Sequence, residues 1–541
     1  METTEHKQAG DQIRIETLDN PYLKGSKKLL PIKGDELIVT VMRQIDNVPV
    51  PLALELTAGD IVALAGDYYT KAGWGLKLTI PQRTSNHVAD NVQLFNKRVG
   101  SRETAAFISA YNDLASPDVK KADIDKIYKI EKTTYIPFFN SLNSYFQQLV
   151  YSFTVKGYGD KLTQNEAHFS PWSSRAYIVG HHSALQMAEL ALACQKLAED
   201  ATLKQIRQPV WDELQVMLRK IQLNPQKYEF KADASALEIY RELAHRFHAL
   251  AISQDLFAMH FYSDHYAGGH MNRIGLLRQI MPQRFGTWGS ILINNMHNED
   301  NTRSVEVINP HQPASNAKDA FKMYSLDDQA YGDGTYFNEH NNENSNMLVN
   351  GMTNSLGDIA RYMQTGIKPA ASDYGGLCFL PEVDYQKPQT QPLLIHGSDG
   401  KVYFRSDVSR IQMLSPAKYQ ATLQNPKAHG YEELTYWRAF VLVFKLRVLG
   451  YSSTVDNSEV LDLQIEHKEI SNCGNSVREP SEGLVLTTPT VERQMSTTWR
   501  DNPPAQDALR SRGFLSTPVQ TQTPHSLINI EIPNKSPHCN V

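Results

Sequence analysis

Residues 235–264 read SALEIYRELAHRFHALAISQDLFAMHFYSD, a stretch rich in alanine and leucine and free of proline. That composition predicts one long helix. A second stretch of the same kind, SSRAYIVGHHSALQMAELALACQKLAED (173–200), predicts another, with Ser173 and Ser174 available as caps. Helical patterns dominate from about Glu103 to Met281, so the expected fold is mostly α. Before them, ELIVTVMRQI (36–45) reads as a strand or short buried segment, and TAGDIVALAGDYYTKAGWG (57–75) as a helix ending at a glycine turn. Asn, Gly and Asp crowd between Asn294 and Asn350, which predicts long ordered loops of the kind that carry function. NSLGDIARYMQTGI (354–367) then closes the helical part. Strand-like pieces follow, among them QPLLIHGSDGKVYFRSDV (391–408), with SDG as its hairpin turn. EELTYWRAFVLVFKLRVLGY (432–451) fits a helix or a buried strand equally well. The expected organisation is a polar leader over 1–35, a helical domain over 36–370, a smaller strand-containing α/β region over 371–477, and a flexible Pro/Ser/Thr/Gln-rich tail over 478–541.

The chain has 541 residues, 41 % hydrophobic and 21 % charged, and is long enough to bury a sizeable core. A net charge of -5 offers no basic field for capturing nucleic acid, so no nucleic-acid partner is expected. Cys194, Cys378, Cys473 and Cys539 are far apart and form no CxxC pair, so ordinary thiols are expected. The N-terminus lacks the basic flank and apolar core of a signal peptide. No run approaches the roughly 18 apolar residues of a membrane span.

The end of the opening stretch carries the chemistry. His260 and Asp264 lie one turn apart on the face that also bears Leu250, Phe257 and Phe261, and so point into an apolar interior. A buried carboxylate and imidazole are costly unless paired or bound to a cation. Taken alone, the pair reads as a hydrogen bond at a helix end. His270 follows after Ala-Gly-Gly, where the chain can turn back towards the same place. His168 stands in a turn before a long helix, NNMHNEDN supplies His297, Glu299 and Asp300, and YGDG supplies Asp333. Asp60 and Asp67 are two helical turns apart. Together these exceed what one tetrahedral zinc needs.

The pieces GDIVALAGDYY, HFSPWSSRAYIVGHHSAL, HFYSDHYAGGHMNR, MHNEDN and YGDG, spread from Thr57 to about Ile367, resemble the zinc-dependent phospholipase C and P1-type nuclease superfamily. Within it they are most similar to the subgroup typified by Pseudomonas and Legionella metallophospholipases C. The resemblance implies a helical catalytic domain with two or three zinc ions. His168, His260 and Asp264 would hold the first, with Asp264 bridging, and His270 with His297 would hold a neighbour. Where better-known members place a glutamate four residues after that histidine, this chain has Asn301, which leaves Glu299, Asp300 and Asp333 open as the carboxylate. A third ion, held in many members through an N-terminal tryptophan, would fall to Asp60 or Asp67, and Asp67 also matches a candidate general base. His181 is read as a ligand or phosphate contact, whereas His245 and His248 match nothing. The implied activity is hydrolysis of glycerophospholipids to diacylglycerol and a phosphorylated head group, by attack of a metal-bound hydroxide on phosphorus. A P1-like nuclease or other phosphodiesterase is the alternative reading. The implied partner is a phospholipid membrane touched peripherally. The implied location is a bacterial cytoplasm, with delivery into a host cell by a specialised secretion system.

Overall fold

The computed structural model describes residues 2–456 apart from 16–18, 26–35, 81–86, 98–99, 134–149, 152, 154, 200–205, 309–328, 333–340, 448 and 450–453. Asp333 and the expected tail lie outside the described residues. The described chain forms two compact units. One holds residues up to 275 together with 307–382; the other holds 276–306 together with 383–456.

The first unit is mostly helical. The stretch expected to be a loose leader opens with helix α1 (Thr3–Asp11), started by a capping box of Glu2 and Glu5. An antiparallel sheet follows, of β1 (Leu23–Lys24), β2 (Ile38–Ile45) and β3 (Val48–Thr57), in that order. Thr57 caps helix α2 (Ala58–Asp67) through its hydroxyl. Gly10 and Gly59 are where α1 meets α2: a Cβ on Gly10 would stand 2.6 Å from the Gly59 Cα. Lys7 then pairs with Asp60 at 2.9 Å, and Asp11 accepts the Gly59 amide. A polar segment is thus held by buried charges and a glycine contact rather than by an apolar face, so hydropathy alone reads it as unattached.

Helices α3 (Ser101–Leu114) and α4 (Lys121–Thr133) pass beside this layer. At the centre lie α5 (Trp172–Glu199) and α6 (Ala236–Asp264), packed along each other. Ser235 caps α6 in a capping box with Glu238. Ser173 and Ser174 prove to be buried inside α5 rather than capping it. Ser173 bonds the His265 ring, and the Ser174 hydroxyl donates to the Pro171 carbonyl. Because α5 is buried on nearly every face, its polar groups need internal partners. Arg175 finds them in a two-pronged pair with Glu103, at 3.0 and 2.6 Å. Trp74, Phe107, Tyr111, Phe257 and Phe261 meet edge-on in the core. Each such pair adds about 0.5–1.5 kcal/mol beyond the area it buries.

The long loops expected over 294–350 are partly helical. Helix α7 (Asn272–Arg303), which breaks at Gly286, covers their start, and α8 (Asn342–Thr365) covers their end. In α8 the buried Met347, Leu348, Met352, Leu356 and Ile359 recur at helical spacing among asparagines, a period that the Asn-rich composition masks. Cys194 is a buried free thiol, but Cys378 is disulfide-bonded, which corrects the expectation of ordinary thiols throughout.

In the second unit the expected hairpin forms. Strands β4 (Leu394–His396) and β5 (Val402–Arg405) pair antiparallel, with Gly400 at φ 79° in the turn. β6 (Tyr431–Glu433) pairs with β5, and Ile395, Tyr403 and Tyr431 form a small core. The ambiguous apolar run resolves as a helix, α9 (Tyr436–Arg447).

Candidate metal centre

Asp264 closes α6 and is 1 % exposed, with His260 one turn before it and 0 % exposed. Its two oxygens face four imidazoles. Oδ1 lies 3.3 Å from His6 Nε2 and 3.2 Å from His270 Nδ1. Oδ2 lies 2.6 Å from His168 Nδ1 and 3.4 Å from His260 Nε2. His168 comes from the short turn before α5, His270 from the turn after α6, and His6 from α1. Burial works to raise the Asp264 carboxyl, but His270, His168, His260 and His6 outweigh it and hold it well below the usual carboxylate range. Asp264 is therefore an anion in the interior.

The hydrogen bonds assign the tautomers. A carbonyl only accepts, so His260 Nδ1 donates to Val62 O at 2.7 Å and leaves a lone pair on Nε2. The Ser263 hydroxyl donates to the His260 carbonyl, so it accepts from His6 Nδ1 at 2.8 Å. His6 Nε2 is buried and makes no hydrogen bond among the described residues. His260 Nε2 also meets His168 Nδ1 at 3.2 Å, so His168 supplies a proton between His260 and Asp264 Oδ2. That leaves His6 Nε2 and Asp264 Oδ1, 3.3 Å apart, as the contact with no hydrogen bond among the described residues, and a cation between them would satisfy both. Nitrogen and oxygen donors about 2.0–2.2 Å from a tetrahedral zinc lie roughly 3.3–3.5 Å apart, close to the His6–Asp264 and His260–Asp264 separations, whereas the 2.6 Å His168–Asp264 contact is a hydrogen bond. The residues fit a metal.

Asp67 ends α2 and completes a second group. Donor atoms of Asp67, His168 and His260 lie within 4.8 Å of one another, as do those of His6, His260 and Asp264. Desolvation pushes the Asp67 carboxyl up, against His168, which draws it down. Burial works to lower His168, but Asp264 and Asp67 hold it above the ordinary histidine value. Gly66 keeps the space open: a Cβ there would stand 1.8 Å from His260 Nε2 and 2.5 Å from His168 Cε1. Phe169 stacks on His270 and sets the plane of its ring.

Of the residues expected from sequence, the fold brings together Asp67, His168, His260, Asp264 and His270. Asp60 stands elsewhere, as an ion-pair centre with Lys7, Lys121 at 3.1 Å and the Tyr128 hydroxyl at 2.9 Å. His181 is buried between two other carboxylates, Asp255 at 2.8 Å and Asp358 at 3.3 Å. His297 and Asp300 belong to the second unit, where the Asn301 amide reaches His297 Nε2 at 3.3 Å. Glu299 is held there by Arg405 in a two-pronged pair. His6 was not expected. A lone histidine in a polar segment has no periodic signal, and the only hint was the want of an N-terminal ligand.

What the geometry provides is a buried cluster of imidazoles and carboxylates compatible with metal-dependent hydrolysis. Comparison with known proteins finds no matching family model, no matching curated protein and no matching solved structure.

Proposed function

We propose that this centre holds zinc and hydrolyses the phosphodiester of glycerophospholipids, leaving diacylglycerol and a phosphorylated head group. The observation that carries the metal is the pair of donor groups, His6 with His260 and Asp264 and Asp67 with His168 and His260, the donor atoms of each lying within 4.8 Å of one another. The lipid substrate rests on the sequence resemblance and on a composition without a basic field. Asp67, His168 and His260 would hold one ion, and Asp264 with His6 would hold a neighbour. Bound there, zinc would neutralise the anionic diester and lower the pKa of a water towards ~7. Asp67 accepts the proton of the water that attacks phosphorus, its partly desolvated carboxylate being a stronger base than an exposed one. Asp264, kept anionic, balances the charge, and Gly66 leaves room for the His260 and His168 rings. Delivery of the protein out of its producing cell by a specialised route is part of the same proposal.

The test compares initial rates on phosphatidylcholine or phosphatidylglycerol vesicles and on a single-stranded oligonucleotide, with Asp264→Asn as blank in both. Head-group release from vesicles that chelators abolish and zinc restores is the expected result. Faster metal-dependent cleavage of the oligonucleotide would replace the lipid reading with the nuclease one. A chain with no bound metal and chelator-resistant activity would remove both.

A further inference from the structure

Thirteen large hydrophobic side chains are exposed among the described residues, and five of them fall between Tyr436 and Leu449. Tyr436, Trp437, Val441 and Phe444 recur at i, i+1, i+5 and i+8, which places them on one face of α9. Trp437 is 69 % exposed and Tyr436 60 %. The opposite face is buried through Ala439, Leu442 and Val443, so packing among the described residues of the second unit does not account for the outer one. Trp437 rests on Phe440, which meets Trp288 edge-on, each pair at 5.2 Å. The aromatic face is therefore braced rather than loose.

The charges on α9 are all of one sign. Arg438, Lys445 and Arg447 are its only ionisable side chains apart from the Tyr436 phenol, and no acid lies within it. Arg438 also pairs with Glu432 at 3.2 Å, and Arg447 donates to Asn294. Exposed Trp, Tyr and Phe interleaved with cations are the composition of helices that lie in the headgroup layer of a bilayer. A second copy of the chain would answer the apolar face but would bring like charges together across a two-fold axis. An anionic lipid surface answers both.

We infer that α9 is a peripheral docking helix for anionic phospholipid bilayers, inserting Trp437, Val441 and Phe444 at the level of the headgroups. This rests on the lipid reading of the metal centre for its purpose, and it is measured apart from hydrolysis. The full chain carrying Asp264→Asn is sedimented with vesicles of phosphatidylcholine alone and with vesicles containing phosphatidylglycerol. Binding that is stronger to the anionic vesicles and weakens with salt is expected. Adding Trp437→Ser and Phe444→Ser should weaken that binding by about tenfold or more, with far-UV circular dichroism unchanged because both side chains are exposed. Tyr436→Ser with Val441→Ser is a second pair on the same face and should act in the same direction. Unaltered binding in both double variants overturns the proposal. So does a dimer in sedimentation velocity that these variants dissociate while the parent chain binds no vesicle. Docking without head-group release would remove the lipase reading and leave this one; head-group release that both double variants leave intact, with docking unchanged, would do the reverse.

Discussion

Helix α6 carries two buried aspartates, Asp255 and Asp264, and each gathers histidine, yet the two clusters differ in kind. Around Asp255 most polar groups bond to one another, with His181 Nε2 left without a hydrogen bond among the described residues. His181 Nδ1 meets Asp255 at 2.8 Å, its Nε2 faces Asp358, Ser355 donates to Asp255, and Tyr177 donates to Ser355. The Gly375 amide and Arg361 hold Asp358. Positive and negative charge alternate, and no added cation is called for. Around Asp264, His260 Nδ1 donates to the Val62 carbonyl and burial holds the ring well below the ordinary histidine value, so its Nε2 carries a lone pair. The residue types are the same; the charge on the imidazole separates an ion-pair network from a candidate metal centre.

The sharpest way to break this distinction is Asp264→Asn. The amide is nearly isosteric but cannot supply the shared negative charge, so zinc content should fall and head-group release should drop by at least about a hundredfold. Elemental analysis beside a rate measurement checks it, and normal turnover with normal metal would put Asp264 in the same class as Asp255.

Gly66→Ala should come next. Its methyl would meet His260 Nε2, a proposed metal donor, so zinc affinity should fall at least about tenfold, with overpacking of about 1–3 kcal/mol. Titration with a competing chelator and a denaturation curve separate the two effects.

His6→Ala removes one donor while leaving His168, His260 and Asp67 in place. About one equivalent of zinc should be lost, with activity reduced rather than abolished. A full complement in this variant would show that α1 is only a packing element.

On the other cluster, His181→Asn should leave zinc content unchanged and cost about 3–5 kcal/mol, because it leaves two buried carboxylates facing a neutral group. The pH dependence has a definite sign. Burial works to lower His181, but Asp255 and Asp358 raise it to about 9 from an ordinary 6.5. Its stabilisation is complete below about 6.5 and is lost as pH rises through about 9. His248, pushed down to about 4 by burial, contributes in the opposite sense: its share is present above about 6.5 and is lost as pH falls towards 4. Urea denaturation between pH 5 and 10 should show the His181 contribution vanish at the alkaline end in the parent chain only. Smallest of all, a chain ending at Val477 should keep its zinc and its rate on soluble substrates within about twofold, since a Pro/Ser/Thr-rich composition offers little apolar surface to bury.

Much of this molecule is legible from the order of its residues. Proline-free alanine/leucine runs make α5 and α6, because helix propensity summed over many residues outweighs local exceptions. The i, i+4 spacing of His260 and Asp264 puts them on one buried face, because helical pitch is local. Other features were set only when distant segments met. His6 became part of the centre through the Gly10–Gly59 contact, which no periodicity announces. Asp60 and Asp67, equivalent two turns apart on α2, parted company because Lys7 and Lys121 reached one and His168 the other. His181 found two carboxylates from α6 and α8. Local sequence determines which backbone hydrogen bonds can form and which side chains share a face. The charge state of a buried imidazole depends on the proton acceptors around it, and those arrive from anywhere in the chain.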